Sequence, residues 1–206
     1  MRKNFTIFLS SLLLIVAINR CDTAEDDSSA TDATTATNST NDSATTATTT
    51  TDTDTTTTDA DGFKTQTKDD FTIKWKIMDA NISVKLSAPT TGWVAIGFDP
   101  TSRMKDANII IGYVENGEVF MRDDYGSATT AHEADTAAGG TDDLTNKSGT
   151  ENNGTTEIAF TMPLNSGDSR DRVLKEGTSY TIIMAYGTSD SFTIKHSTTA
   201  STNFKL

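Results

Sequence analysis

Alternating apolar and polar positions recur through the second half of the chain and predict short β-strands. Residues 71–77 alternate strictly between apolar and polar side chains, and residues 81–86 repeat the pattern. A period of two over about four to eight residues, bounded by turn residues, indicates half-buried strands. The same argument predicts further strands at residues 93–98, 108–114, 118–121, 156–162, 180–186 and 192–196.

The lack of a helical pattern decides the predicted fold class. No stretch of residues 62–206 carries apolar positions at helical spacing for three turns. The strands and the turn residues between them therefore predict one all-β domain over residues 62–206, folded as a β-sandwich. The polar, glycine-rich residues 127–153 are expected to form a long excursion loop, and long loops often carry function.

The residues before this domain predict two other segments. Residues 1–21 begin with a basic cluster and continue in an apolar run that is shorter than the roughly 20 residues of a membrane span, as in an export signal. Residues 22–61 contain no aromatic residue and no Leu, Ile or Val, so they predict a disordered Thr/Asp-rich linker.

The one cysteine, Cys21, follows the apolar run directly. This is where a bacterial lipoprotein carries its lipidated cysteine, although Arg20 replaces the small residue expected before it. Lipidation of Cys21, secretion without a lipid and an uncleaved anchor therefore all stay open.

Charge divides along the same boundaries. The formal net charge of −12 comprises +3 in residues 1–21, −10 in residues 22–61 and −5 in residues 62–206. An acidic domain behind an acidic linker argues against nucleic-acid binding, which needs a basic surface. The charge is compatible with a cationic or neutral redox partner.

Missing motifs exclude several kinds of site. The sequence has no Gly-rich phosphate loop, dinucleotide fingerprint, nucleophile elbow or HExxH motif. Its single cysteine excludes iron–sulfur clusters, cysteine-based zinc sites and covalent CxxCH haem attachment. No pair of carboxylates stands out as an acid–base catalyst.

Met104 and His196 are the two unusual residues. Met104 lies among polar residues after a predicted strand, where core packing does not explain it. His196 shares the apolar face of the predicted strand 192–196, where an imidazole needs a partner or a ligand. A methionine that packs the end of the sandwich and a satisfied structural histidine are the alternatives. His132 lies in the predicted polar loop and is expected to face solvent.

The segments around these residues resemble the DOMON family, over roughly residues 63 to 200. The similarity lies in Gly92–Phe98, Met104, Ala107–Tyr113, Glu157–Leu164 followed by Asp168 and Asp171, Ile183–Gly187, and the segment that carries His196. The resemblance implies an immunoglobulin-like sandwich. In the cytochrome branch, which includes the cytochrome domain of cellobiose dehydrogenase, it further implies a non-covalent haem b with one methionine and one histidine ligand.

The resemblance assigns Met104 and His196 as the two iron ligands, with Trp93, Phe98 and Tyr113 as candidates to line the haem cleft. It implies an extracytoplasmic electron-transfer module and not an enzyme in its own right. The expected partner is a redox protein or a small-molecule electron carrier. Membrane contact is expected only through a lipid at Cys21.

Two further functions stay open. One is a cell-surface carbohydrate-binding or adhesion module on the same sandwich, without haem. The other is a calcium-stabilised structural domain that uses the acidic residues 133–143, although these lack the ligand spacing of a known calcium-binding motif.

Overall fold

A computed structural model describes residues 56–206, which form an all-β domain. The predicted export signal, Cys21 and nearly all of the predicted linker lie outside the described residues. The strands are β1 (Thr57–Thr58), β2 (Lys64–Lys68), β3 (Phe71–Met78), β4 (Asn81–Ala88), β5 (Val94–Phe98), β6 (Asn108–Glu115), β7 (Glu118–Ala128), β8 (Ala131–Ala134), β9 (Thr145–Asn152), β10 (Thr155–Pro163), β11 (Ser179–Tyr186) and β12 (Thr198–Lys205).

The strands form two six-stranded antiparallel sheets. The first has the order β1-β2-β3-β4-β10-β9, and the second has the order β12-β11-β5-β6-β7-β8. One apolar cluster joins residues of both sheets, which confirms the predicted sandwich. Among residues 56–206, no helix has the length and hydropathy to cross a membrane.

Aromatic side chains fill the centre of the sandwich. Phe204 of β12 packs 4.5 Å from Trp75 of β3 and 6.0 Å from Phe98 of β5, measured between ring centroids. All three side chains are buried. Burying a large apolar side chain contributes about 1.5–3 kcal/mol, so these three residues stabilise the contact between the two sheets.

The predicted strands of the core are confirmed, but the predicted strand at residues 192–196 is wrong. These residues form a turn and an irregular segment, and the last strand instead spans Thr198–Lys205. Ile194, which the alternation placed on the buried face, is half exposed.

The predicted excursion loop at residues 127–153 is also wrong. It contains all of β8 and all of β9. Both are edge strands of their sheets. An edge strand has one neighbour and much solvent contact, so it need not carry an apolar alternation.

Candidate functional site

An apolar cluster lies on the outer face of the second sheet, away from the interior of the sandwich. Side chains alternate along β5 and β6, so Val94 and Ile96 face the core while Ala95 and Ile109 face outward. We call the outward set the outer cluster: Trp93, Ala95, Ala107, Ile109 and Ile111, with Met104, Tyr113, Ile183, Ala185 and Phe192 packed against it. Apolar clusters on an outer face often mark binding sites.

The loop between β5 and β6 brings Met104 to this cluster. Thr101 N–H donates to the Lys105 carbonyl at 2.9 Å, and Ala107 N–H donates to the Met104 carbonyl at 3.1 Å. Asp99, Arg103 and Asp106 all have positive φ, which Asp tolerates better than most residues. The loop is therefore a compact, internally bonded turn.

Asp106 ties this loop to β7. Its carboxylate accepts hydrogen bonds from the Thr101 hydroxyl at 2.5 Å and from the Tyr125 hydroxyl at 2.8 Å. These two hydrogen bonds hold the pKa of Asp106 below its usual value. The Asp106 N–H also donates to the Gly126 carbonyl at 2.7 Å.

Gly126 is required for this docking of the loop. A Cβ atom at position 126 would lie 1.7 Å from the Met104 carbonyl oxygen and 3.1 Å from the Ala107 nitrogen. A Cβ atom cannot lie 1.7 Å from a carbonyl oxygen, so any residue other than glycine would clash at this position. The glycine therefore decides how closely the Met104 loop approaches β7.

A second segment, residues 187–197, covers the outer cluster from the end of β11. Gly187 N–H donates to the Trp93 carbonyl at 2.9 Å, and the Trp93 indole N–H donates to the Ile194 carbonyl at 3.1 Å. Phe192 packs 4.9 Å from the Tyr113 ring. His196 lies half-buried near the end of this segment.

The structure divides the predicted cleft residues between two places. Trp93, Met104 and Tyr113 share the outer cluster. Phe98 lies on the other face of β5, fully buried in the core beside Phe204. His196 belongs to the covering segment, and its assignment as a ligand, like that of Met104, stays a prediction.

A group of charged residues borders the outer cluster next to Phe192. The Arg122 guanidinium lies 4.8 Å from the Phe192 ring centre and donates to the buried Asp124 carboxylate, at 2.6 Å through Nη2. His132 Nδ1 lies 2.5 Å from Asp124 Oδ2, the same oxygen that accepts from Arg122 Nη2. Burial alone would raise the pKa of Asp124, but the hydrogen bonds with His132 and Arg122 outweigh it and lower that pKa.

His132 is therefore not the solvent-facing loop residue that the sequence predicted. It lies in β8, half-buried, with Asp124 as its partner. The prediction failed because the strand that carries His132 has no apolar alternation.

A second group of acidic residues lies on the opposite face of the same sheet. Burial, and after it the nearby Asp171 charge, raise the pKa of Asp123 to about 8. Burial and Asp171 likewise raise the pKa of Asp135 to about 7, and burial raises that of Asp171 to about 6. Sequence reasoning named Asp171 only as part of the family resemblance and Asp135 only within the acidic residues 133–143, and it missed Asp123. The signal was the run Arg122-Asp123-Asp124, three charges in succession inside a strand.

The fold and the outer cluster define an all-β sandwich domain with a covered apolar site on one outer face. The chain belongs to the DOMON family, because residues 66–187 match the DOMON domain. This confirms the resemblance that the sequence motifs indicated.

Two solved structures share this fold. The cytochrome domain of cellobiose dehydrogenase from Myriococcum thermophilum aligns with a TM-score of 0.55 at 12% identity, over 74% of this chain and 88% of that one. The cytochrome b domain of pyranose dehydrogenase from Coprinopsis cinerea aligns with a TM-score of 0.52 at 14% identity, over 69% and 80%. At these identities the likeness shows the fold alone.

Similar curated proteins are much longer than the matched region. DBH-like monooxygenase protein 1 from Homo sapiens is 28% identical over 116 residues, which are 56% of this chain and 18% of that protein. MOXD1 homolog 2 from Drosophila melanogaster is 36% identical over 55 residues, 27% of this chain and 7% of that protein. This chain thus spans less than a fifth of either relative.

Proposed function

We propose that the chain is an extracytoplasmic electron-transfer module that holds one haem b at the outer cluster, with Met104 and His196 as axial ligands. The observation that carries this proposal is the outer cluster itself, which both the Met104 loop and the segment that carries His196 adjoin. The likeness in fold to two cytochrome domains supports it.

The residues present fit such a group. The outer cluster offers an apolar surface, and Met104 and His196 offer one thioether and one imidazole, both uncharged donors. A bound haem b would supply a one-electron couple, and thioether–imidazole ligation raises its reduction potential relative to two imidazoles. Trp93 and Tyr113 would contribute apolar contact area, while Phe98 supports the site from the core.

The role of the protein would be to orient the haem and to exclude water from it. The hydrogen bonds of the 99–107 loop hold the Met104 backbone in one position before any ligand binds. The Trp93 indole does the same for the segment that carries His196. Met104 and His196 as two protein ligands would leave no open position on the iron, and this would favour electron transfer over oxygen activation.

Donor and acceptor would be other molecules, either a redox protein or a small-molecule carrier. The similar human protein is named a monooxygenase, but the region that matches this chain is a small part of that protein. We therefore propose a carrier role and not catalysis for this domain. The same proposal includes export of the chain through residues 1–21. Lipidation of Cys21 would be its one membrane contact.

The test is a reduced-minus-oxidised visible spectrum of the full chain supplied with haemin. We expect the sharp bands of a low-spin b-type haem in the wild type. Met104→Ala and His196→Ala should each lose the low-spin bands and weaken haem binding, while the fold survives because neither side chain lies in the core.

Met78→Ala is the matched control, because Met78 is an exposed methionine on β3, a strand of the other sheet. Its spectrum should equal that of the wild type. Unchanged low-spin spectra in both ligand variants would refute the ligand assignment. A folded, colourless protein that rejects haemin would refute haem binding and favour the carbohydrate-binding alternative, for which glycan binding would then be measured.

A further inference from the structure

Four buried oxygen atoms on one face of the second sheet have no hydrogen-bond partner. They are Oδ1 of Asn108, Oδ1 of Asp123 and both carboxylate oxygens of Asp135. Asn108, Asp123 and Asp135 expose only 5%, 3% and 1% of their surface. An unpaired buried carboxylate is costly, so such a group calls for a cation or a proton.

Strand register brings these three residues together. Asp124 pairs with Ala134 across β7 and β8, and the Asp135 N–H donates to the Asp123 carbonyl at 2.9 Å, so Asp123 and Asp135 lie opposite each other. Across β6 and β7, Asp123 pairs with Ile110 and Tyr125 pairs with Asn108. Asn108 is thus diagonal to Asp123 on the same face as the core residue Ile110.

Residues 140–171 add further carboxylates beside this face. The Asp171 charge raises the pKa of both Asp123 and Asp135, which places its carboxylate near both. A Cβ atom at Gly140 would lie 2.5 Å from an Asp135 carboxylate oxygen and 2.7 Å from one of Asp168, so these two carboxylates converge as well.

Within residues 56–206, no basic side chain is described in an ion pair with Asp123 or Asp135. Asp123 Oδ2 accepts one bond, from the Asp143 N–H at 3.2 Å, and this leaves its other oxygen directed elsewhere. Four acceptor oxygens stay unpaired, and the negative charge is offset only in part, by the Arg170 charge near Asp135.

We propose that this face binds one calcium ion through the side-chain oxygens of Asn108, Asp123 and Asp135, with Asp171 as a further ligand. Carboxylate and amide oxygens are the donors that calcium prefers, and histidine and cysteine are missing from the set. Within residues 56–206, no three carboxylate, imidazole or thiolate groups form a closed metal cage alone. The amide oxygen of Asn108 and main-chain carbonyls must therefore complete the roughly six to eight ligands that calcium takes.

The proposed site differs from the one that the sequence suggested. The acidic residues 133–143 supply one ligand, Asp135, while the others come from β6, β7 and the segment after β10. It also lies on the face opposite the outer cluster, so it is independent of haem.

The test is calorimetry of the haem-free full chain, first in a chelator and then with increasing calcium. Binding to the folded state alone should raise Tm by roughly 5–10 °C when calcium is about 100-fold above its Kd. Asp135→Asn should lose this rise, and in the chelator its Tm should equal or exceed that of the wild type, since one unpaired charge is gone.

Glu151→Gln is the matched control, because it removes one exposed carboxylate from the edge strand β9. Its calcium response should equal that of the wild type. An equal response in Asp135→Asn would overturn the site, and so would a wild type whose Tm ignores calcium.

Terbium luminescence keeps the test decisive if Asp135→Asn fails to fold. Tyr125 lies two residues from Asp123 on the same strand face and would sensitise terbium bound there. We expect terbium emission from the wild type that calcium competes away and that Tyr125→Phe reduces. Absence of competed emission in the wild type would overturn the proposal.

Discussion

Gly126 has no side chain, and this allows the Met104 loop to pack where it does. The Met104 carbonyl occupies the space that any side chain at Gly126 would need. The loop could retreat from a larger residue only by breaking the Asp106–Gly126 hydrogen bond and moving Met104 off the outer cluster. Sequence reasoning selected Met104 for its polar surroundings but gave no reason to select Gly126.

Gly126→Ala should therefore impair the site more than the core. We expect a loss of about 1–3 kcal/mol in the free energy of unfolding, typical of overpacking, and a much larger proportional loss of haem affinity. Urea unfolding and haemin titration would measure the two effects. Ser127→Ala, at the exposed neighbouring position, is the control. Wild-type haem affinity in Gly126→Ala would show that the loop position does not matter.

Core strands and edge strands differ in how well the sequence predicts them. Strands β3, β4 and β10 each lie between two neighbouring strands and bury alternate side chains, so the apolar alternation predicts them correctly. In β9 and β12 most side chains are polar and exposed or half exposed, and the buried Phe204 of β12 is an isolated exception, so no apolar alternation separates these strands from a loop.

The segment that carries His196 was misread for a related reason. Phe192 and His196 keep the spacing of a strand, yet the backbone turns here and Trp93 holds it by a single side-chain bond to Ile194. That bond joins residues 101 positions apart, which local pattern reasoning cannot reach. The fold class and the Met104 position were therefore predictable, whereas the conformation around His196 was not.

Trp93→Phe tests whether this bond positions the segment. The change keeps most of the apolar area and removes the indole N–H, so stability should fall by about 0.5–1.5 kcal/mol. Because the same bond orders the segment with His196, we expect weaker haem binding and partial loss of the low-spin bands. Hydrogen exchange of residues 188–197 should become faster. Unaltered exchange and an unaltered spectrum would mean that Trp93 only fills space.

At the scale of the whole domain, the second sheet divides its two faces between different chemistries. The outer face carries the apolar cluster and the neutralised Arg122–Asp124–His132 group. The inner face, towards β8, carries unpaired carboxylates. A pH change should therefore act on stability chiefly through the inner face, because the Asp124 charge already has partners.

The direction of that effect follows from the raised pKa values of Asp123, Asp135 and Asp171. Each folded-state pKa, about 8, about 7 and about 6, lies above the model-peptide value of 3.8, so the folded chain holds more protons than the unfolded chain between these limits. As far as these groups decide it, the stability of the chelator-treated, haem-free protein should then be greatest below about pH 4, where all three carboxyls are protonated in both states. It should fall as the pH rises toward 8.

Urea unfolding at several pH values in chelator would measure this dependence. Asp123→Asn removes the group with the highest pKa, so its curve should flatten most between pH 6 and 8. Asp142→Asn, which removes an exposed carboxylate paired with Lys147, should keep the wild-type slope. A wild type that gains stability from pH 5 to 8 without metal would show that these carboxylates are charged at little cost. In that case their burial would have to be compensated by donors other than a cation or a proton.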